Sequence, residues 1–448
     1  MPTVGARKNP RPGSFAGYRT YISRLQALAR TPDQGGIWNE HAVAALNGQA
    51  STMLRKTASR HLRRKHGTFF TGTELGARLL SRTGITHHEG FFYDPACGMG
   101  DLLLAAARTL PLGATLSETL ELWGRRLAGT DLQPEFIDGT KARLVLLARQ
   151  RLGQTRPGDS TIASLFPKIR IGNGLLERDT YKRATTLLMN PPFGLARTLS
   201  GCTWAGGRVS MAATFMVTAL ERSRPGTEVL AILPDVLRAG SFSEQWRERI
   251  SELAEVHLVE PYGVFDETTD IDVFVLRLVR RDANLKKSKR WPALYKTRAA
   301  SVSDCFDVHV GRVVPHRDKK SGPEHPYIHP RSVPAWRTLR ELAETRKHKG
   351  LVYKAPFVVI RRTSRPGHPY RATATVIAGK ASVAVENHLI VCEPKDKTLK
   401  SCLHLMRQLK SNRVNRFLNR RICCRHLTVA AVGAIPYTTT TKRTERKA

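Results

Sequence analysis

DPACGMGDLLLAAA (residues 94–107) runs from an acidic residue through a turn of small residues into an apolar helical pattern. Gly98 and Gly100 allow the backbone of such a turn to approach a ligand closely, and the helix that follows points its positive end at the same place. The turn is preceded by a short apolar run, FFYD (91–94). Similar runs recur along the chain: RLAGTD (126–131), KIRI (168–171), TLLMN (186–190), EVLAIL (228–233), EVHLVE (255–260) and DVFVLRLV (272–279). Longer helical patterns separate them. The alternation predicts an α/β fold, a mostly parallel sheet with helices on both faces.

On the amino-terminal side, YRTYISRLQALAR (18–30) and HAVAALNGQASTMLRKTASRHLRRK (41–65) carry helical periodicity, which predicts a helical lead-in behind a basic, Pro- and Gly-rich start. On the other side, NLKKSKRWP (284–292) marks a boundary. The expected organisation is a basic tail with helices over 1–65, a catalytic α/β domain over 66–281, and a basic, mixed α+β domain over 282–448. No internal repeat interrupts it.

Charge follows the same division. The 448 residues carry a formal net charge of +36. Residues 1–65 hold 12 basic and 2 acidic side chains, residues 66–281 hold 25 and 24, and residues 282–448 hold 36 and 11. A neutral body with cationic flanks suits a catalytic domain held on nucleic acid by its surroundings. Clusters such as KKSKR (286–290), RDKK (317–320), RKHK (346–349) and RRTSRPGHPYR (361–371) would contact phosphates, which set affinity and register without reading sequence.

The seven cysteines, Cys97, Cys202, Cys305, Cys392, Cys402, Cys423 and Cys424, include no CxxC pair, so neither a disulfide framework nor a metal site is expected. No stretch approaches the ~20 apolar residues of a membrane span. The reading is a cytoplasmic protein without membrane contact.

Two further positions carry chemistry. Asp131 ends the run RLAGTD and precedes a helical pattern over 134–152. A carboxylate there can accept hydrogen bonds from both ribose hydroxyls of a nucleoside cofactor, or simply cap the helix. The second is NPPF (190–193), directly after TLLM. Two prolines at a strand end give up backbone donors, so the rigidity must serve a purpose. Asn190 offers its side-chain oxygen and Pro191 its carbonyl, two acceptors for one planar amine, while Phe193 can stack on the attached ring.

DPACGMG, NPPF and GTFFTGTELGARLL (67–80) together resemble the amino-methylating, N6-adenine-specific DNA methyltransferases of restriction–modification systems, in the class whose cofactor motif comes first. The likeness covers roughly residues 50–280. It extends more weakly to SCLHLMRQLKSNRVNRFLNRR (401–421) and AIPY (434–437), similar to the end of those enzymes' target-recognition regions. The resemblance implies a Rossmann-like methyltransferase sheet, a mixed α+β target-recognition domain, S-adenosyl-L-methionine as cofactor, no metal, and double-stranded DNA as partner. A separate restriction endonuclease or specificity subunit would complete the system.

Residue by residue, it places Gly67, Phe70 and Thr71 at the cofactor, with Thr71 against the methionine part. Asp94, Pro95, Ala96, Cys97, Gly98 and Gly100 would surround the cofactor, Asp131 and Leu132 would hold its ribose end, and Phe215 would pack beside it. Asn173 stands where the family usually has Asp at the adenine amine and can still accept through its oxygen. Asn190, Pro191, Pro192 and Phe193 would hold the target base, with Phe265 stacking from the opposite side. Three other departures are visible. Gly72 stands in place of Pro, Met99 in place of Thr, and Phe193 in place of Tyr.

The expected reaction is methyl transfer to the N6 amine of an adenine rotated out of the duplex. Related enzymes acting on cytosine usually carry Ser at the place of Asn190. An N-methyltransferase for RNA or for a protein glutamine shares the amine-binding chemistry, and a non-catalytic DNA-binding subunit shares the charge. A fused nuclease has no carboxylate–lysine constellation in its favour.

Overall fold

Each of the seven apolar runs forms a strand: β1 (Phe92–Asp94), β2 (Leu127–Asp131), β3 (Ile169–Ile171), β4 (Thr186–Met189) and, after a short hairpin of β5 (Leu195–Arg197) and β6 (Arg208–Ser210), β7 (Glu228–Pro234), β8 (Ala254–Val264) and β9 (Asp272–Arg280). They make a sheet in the order β3-β2-β1-β4-β7-β9-β8. The pairs β3/β2, β2/β1, β1/β4 and β4/β7 are parallel. The computed structural model describes residues 15–32, 37–59, 61–63, 71–81, 90–153, 164–198, 201–265, 271–282, 291, 300–423 and 425–438. The chain divides into two units. The first comprises Met1–Leu237, Gln245–Glu260 and Phe274–Pro292, and the second Arg238–Glu244, Pro261–Val273 and Ala293–Ala448.

The central strands are continuous apolar runs because both faces are covered. Leu187, Met189, Val229, Ala231 and Leu233 share a core with the helices Met211–Arg222 and Glu244–Leu253. The alternate residues Leu188, Leu230 and Ile232 are also fully buried. On the strands' other side lie the helices Thr73–Leu80, Asp101–Thr109 and Pro134–Leu152.

Pro134 begins the last of these and Gly153, at φ +62°, ends it, a helix start and stop written in the sequence. The extra helical pattern before Asp131 is also present, as Leu116–Arg126, with the Thr115 side chain capping its first turn.

In the amino-terminal region the helices are Ala16–Arg30, Ile37–Leu46 and Gln49–Thr57. The periodic stretch over 41–65 is therefore broken, because Gly48 adopts φ +86° and turns the chain between two helices. Buried Arg149 donates to the carbonyls of Leu28, Ala29 and Thr31 at 3.3, 3.0 and 2.9 Å. It thereby satisfies the last turn of the first helix, whose carbonyls have no partner inside the helix. No helix among the described residues is long and apolar enough to cross a membrane.

In the second unit, β10 (Phe306–Val310), β11 (Glu324–Ile328), β12 (Thr338–Leu339), β13 (Thr345–Lys347), β14 (Tyr353–Lys354), β15 (Phe357–Arg361), β16 (Ala374–Ile377), β17 (Ser382–Val385) and β18 (Leu389–Pro394) form two sheets. The five-stranded sheet, β10-β18-β15-β16-β12, separates two cores by simple alternation. Val358, Ile360, Ile390 and Cys392 face the helices Leu399–Leu409 and Asn412–Arg421, while Phe357, Val359, Leu389 and Val391 face the opposite core.

Arg371 fixes the helix Asn412–Arg421 to the loop before β16. It is 1% exposed. Its guanidinium donates to Ser364 Oγ, Asn419 Oδ1 and the carbonyl of Ile422, and its backbone N–H donates to Asn415 Oδ1. Arg371→Met fills similar volume and strands the acceptors at Ser364, Asn419 and Ile422, so it should lower the stability of the second unit by about 3 kcal/mol. Urea denaturation of the intact chain measures this; an unchanged midpoint contradicts it.

Candidate functional site

Parallel strands deliver their last residues to one edge of a sheet, and here the chain order reverses between β1 and β4. Such a switch point leaves a crevice beyond the strand ends. Asp94 ends β1, Asp131 ends β2, Asn173 follows β3 by two residues and Asn190 follows β4 directly. Four residues spread over nearly a hundred positions thus gather at one edge.

The turn after β1 is held from both sides. Asp94 Oδ1 accepts the Ala96 N–H at 3.0 Å, the Cys97 N–H donates to the Thr130 carbonyl at 3.0 Å, and the Gly98 N–H donates to Asp131 Oδ2 at 2.9 Å. Gly98 and Gly100 have φ of +51° and +78°. At Gly100 a Cβ would also stand 2.5 Å from Thr140 Cγ2, so glycine is required by backbone and space together. Thr140 Oγ1 donates to the Gly98 carbonyl at 2.9 Å, tying the turn to the helix Pro134–Leu152.

Asp131 does more than either sequence reading required. Oδ2 holds the glycine turn while Oδ1 accepts the Gln133 N–H at 2.9 Å, just before the helix begins. Burial raises its pKa above the usual carboxylate value, against the lowering effect of the Gln133 and Gly98 N–H groups. Asp94 is 2% exposed. Burial pushes its pKa up to about 8, against the Ala96 N–H, and the neighbouring Asp131 and Asp101 add to the rise.

Asn173 Oδ1 accepts the Leu175 N–H at 3.0 Å, forming a local turn. Gly174 beside it approaches the first turn closely. A Cβ there would lie 1.9 Å from the Pro95 carbonyl oxygen. Gly174 was legible only as a small residue in IGNGLL; its role is a contact between two loops far apart in sequence. Leu132, Ile171 and Leu176 are 62%, 59% and 73% exposed around these strand ends. The sequence reading named only the first. Ile171 read as an ordinary strand residue, and only its exposure sets it apart.

Cys97 is buried, and a Cβ on Gly129 would stand 3.0 Å from its Sγ, so its side chain serves packing and its backbone the turn. Burial raises its thiol pKa well above the usual value. Asn190 Nδ2 donates to Thr71 Oγ1 at 2.9 Å. Pro191 is buried, while Pro192 and Phe193 are half-buried. Phe193 and Ala96 pack against the core that contains Phe215, which is 5% exposed in the helix Met211–Arg222.

Two expected cofactor residues, Gly67 and Phe70, lie outside the described residues. Phe265 belongs to the second unit, where it is 8% exposed and its N–H donates to the Ile271 carbonyl at 2.8 Å. A cavity of about 280 Å³ in the first unit is lined by Thr73, Ala77, Leu80, Asp101, Leu104 and Arg108, among others, and by none of the residues named from sequence. Among the described residues no three His, Cys, Asp or Glu side chains are placed to share a metal ion.

No protein-family model matches the chain, and no curated protein sequence matches it. Solved structures do. A modification subunit of a putative type I restriction enzyme from Vibrio vulnificus is 19% identical over 52% of this chain and 49% of its own, with a TM-score of 0.37. The type IIG restriction endonuclease BpuSI is 14% identical over 94% and 67%, with a TM-score of 0.43. The type IIL restriction–modification enzyme MmeI, solved in complex with DNA, is 10% identical over 95% and 80%, with a TM-score of 0.50. The chain thus spans about half the length of the first of these. The likeness to MmeI shows the fold, and the first sheet is the expected Rossmann-like α/β arrangement with helices on both faces.

Asp94 supplies a pH test. Its pKa is raised in the folded chain, so between about pH 4 and 8 the folded state holds a proton that the unfolded state releases. The stability this contributes is complete below the unfolded value and lost as pH rises towards 8. Asp94→Asn cannot ionise, so without cofactor its stability relative to wild type should grow steadily over that window. Urea titrations across the range check this, and parallel pH profiles for the two proteins would contradict it.

Proposed function

We propose that the chain is an S-adenosylmethionine-dependent DNA methyltransferase acting on the exocyclic N6 amine of an adenine rotated out of the duplex. The observation that carries the reading is Asn190 at the end of β4, on the same sheet edge as the Asp94 turn and Asp131. The reading takes Asn190 as the amine acceptor and this edge as the place of the nucleoside.

The residues present fit the cofactor. Asp131 would accept the ribose hydroxyls, the turn from Asp94 to Gly100 would face the methionine part, and the exposed Leu132, Ile171 and Leu176 offer apolar surface for a purine ring. When bound, the cofactor supplies an activated sulfonium methyl group. The chain's own work is positioning. Asn190 Oδ1 and the Pro191 carbonyl would accept the two amine N–H groups and favour the pyramidal nitrogen that attacks, and Phe193 would stack on the base.

Charge supports a polyanionic substrate. In the hairpin directly after NPPF, Arg197 and Arg208 are cross-strand partners and both are exposed. Like charges placed opposite one another are unfavourable unless an anion joins them. In the second unit, Arg413, Arg416 and Arg420 are exposed on one face of the helix Asn412–Arg421, turned away from Val414 and Leu418. We place the enzyme in a restriction–modification or other defence system, working with a separate nuclease or specificity subunit.

Asn190→Ala should leave duplex and cofactor binding intact and slow single-turnover methyl transfer about 100- to 1000-fold, the usual loss for one transition-state hydrogen bond. Product analysis separates methyl-adenine from methyl-cytosine, and RNA and protein substrates are run alongside. Full activity in this variant, or methyl found only on another acceptor, overturns the proposal. A paired variant, Arg197→Gln with Arg208→Gln, should reduce the slope of log affinity for duplex DNA against log salt by about 2, at roughly 0.9 per lost phosphate contact. An unchanged slope would remove the hairpin from the DNA interface.

A further inference from the structure

A chain of hydrogen bonds runs from the interior of the first unit to Asn190. Arg143 is 1% exposed, and its Nη1 lies 2.8 Å from Asp101 Oδ1. The same guanidinium donates to the carbonyls of Ala45 and Met99, so its position is set by two separate segments. Asp101 Oδ2 accepts the Gly72 N–H at 2.8 Å. The residue before Gly72 is Thr71, 9% exposed, whose Oγ1 accepts from Asn190 Nδ2 at 2.9 Å.

Gly72 is the link that makes this possible. Its backbone stands at φ +73°, ψ 165°, and nothing lies within 4 Å of where a Cβ would be. Backbone conformation, and not space, therefore calls for glycine. Proline, which the resembled family carries here, has no N–H and holds φ near −65°. It could neither adopt this conformation nor donate to Asp101. The departure from the family pattern at Gly72 and the carboxylate at Asp101 belong to one device.

We infer that Thr71, fixed through Gly72 by Asp101 and Arg143, holds the Asn190 amide in position at the substrate. The bond to Thr71 uses the NH2 end, so by covalent geometry Oδ1 is the end turned away from it. Thr71, Asp101 and Arg143 are on this account positioning residues. The inference rests on the amine-methylating reading of Asn190.

The test is single-turnover methyl transfer to duplex DNA at saturating cofactor, with thermal melting of every variant. Thr71→Val keeps the shape and removes the hydroxyl; it should slow transfer about 10- to 100-fold, and Thr71→Ser should recover the rate to within about threefold. Asp101→Asn, which offers only one acceptor oxygen, should slow transfer too. Its combination with Thr71→Val should be no slower than Thr71→Val alone, because both break the same chain. Equal rates for Thr71→Val and wild type, a Ser variant as slow as the Val variant, or losses that multiply in the double variant would overturn the inference. If Asp101→Asn does not fold, the Val and Ser pair still decides. Failure of wild type to methylate adenine is seen before any variant is compared; it sinks the proposed function, and the relay falls with it.

Discussion

The hydrogen bond from the Gly98 N–H to Asp131 Oδ2 joins the turn after β1 to the end of β2, and the geometry of the candidate site depends on that tie. Strand pairing alone brings the two chain segments side by side, with Asp94 opposite Gly129. It does not set the path of the turn. The carboxylate does, by holding one peptide N–H while its other oxygen holds the start of the next helix. Left-handed glycines at 98 and 100 follow from the sharp path this imposes.

The edge is kept at a cost in stability. Asp94 sits almost wholly out of water, and its raised pKa measures how poorly that environment supports its charge. A carboxyl group so placed is not what packing would choose. Arg143 and Asp101, a short distance away, form a matched pair with hydrogen bonds to carbonyls around them, which is how buried charge is tolerated. The contrast separates a carboxyl whose surroundings disfavour its charge from one paired with a guanidinium and committed to holding a loop.

The second unit meets a different requirement. Its five-stranded sheet is apolar on both faces, so β15 and β18 read as unbroken hydrophobic runs without the alternation that marks a half-exposed strand. Cationic side chains are then left to the surface of the helix Asn412–Arg421, whose opposite side is locked by Arg371 through Asn415 and Asn419. Arg371, through its guanidinium and its backbone N–H, thereby orients a face rich in arginine.

The sequence by itself determined the order of the seven strands of the first sheet, because apolar runs of strand length alternating with helical ones leave few other arrangements. It also marked Asp94, Asp131 and Asn190, since acidic and amide residues at strand ends and a double proline are local signals. It did not separate the strands of the second unit; in β15 and β18 burial on both faces erased the period. Nor did it reveal the break at Gly48, the cross-strand arginines, the exposed Ile171 and Leu176, or the approach of Gly174 to Pro95. The approach of Gly174 to Pro95 arises between segments distant along the chain. Only the tertiary structure places Thr71 against Asn190 and Gly72 against Asp101, because a hydrogen bond between residues 119 or 29 positions apart has no periodicity to announce it.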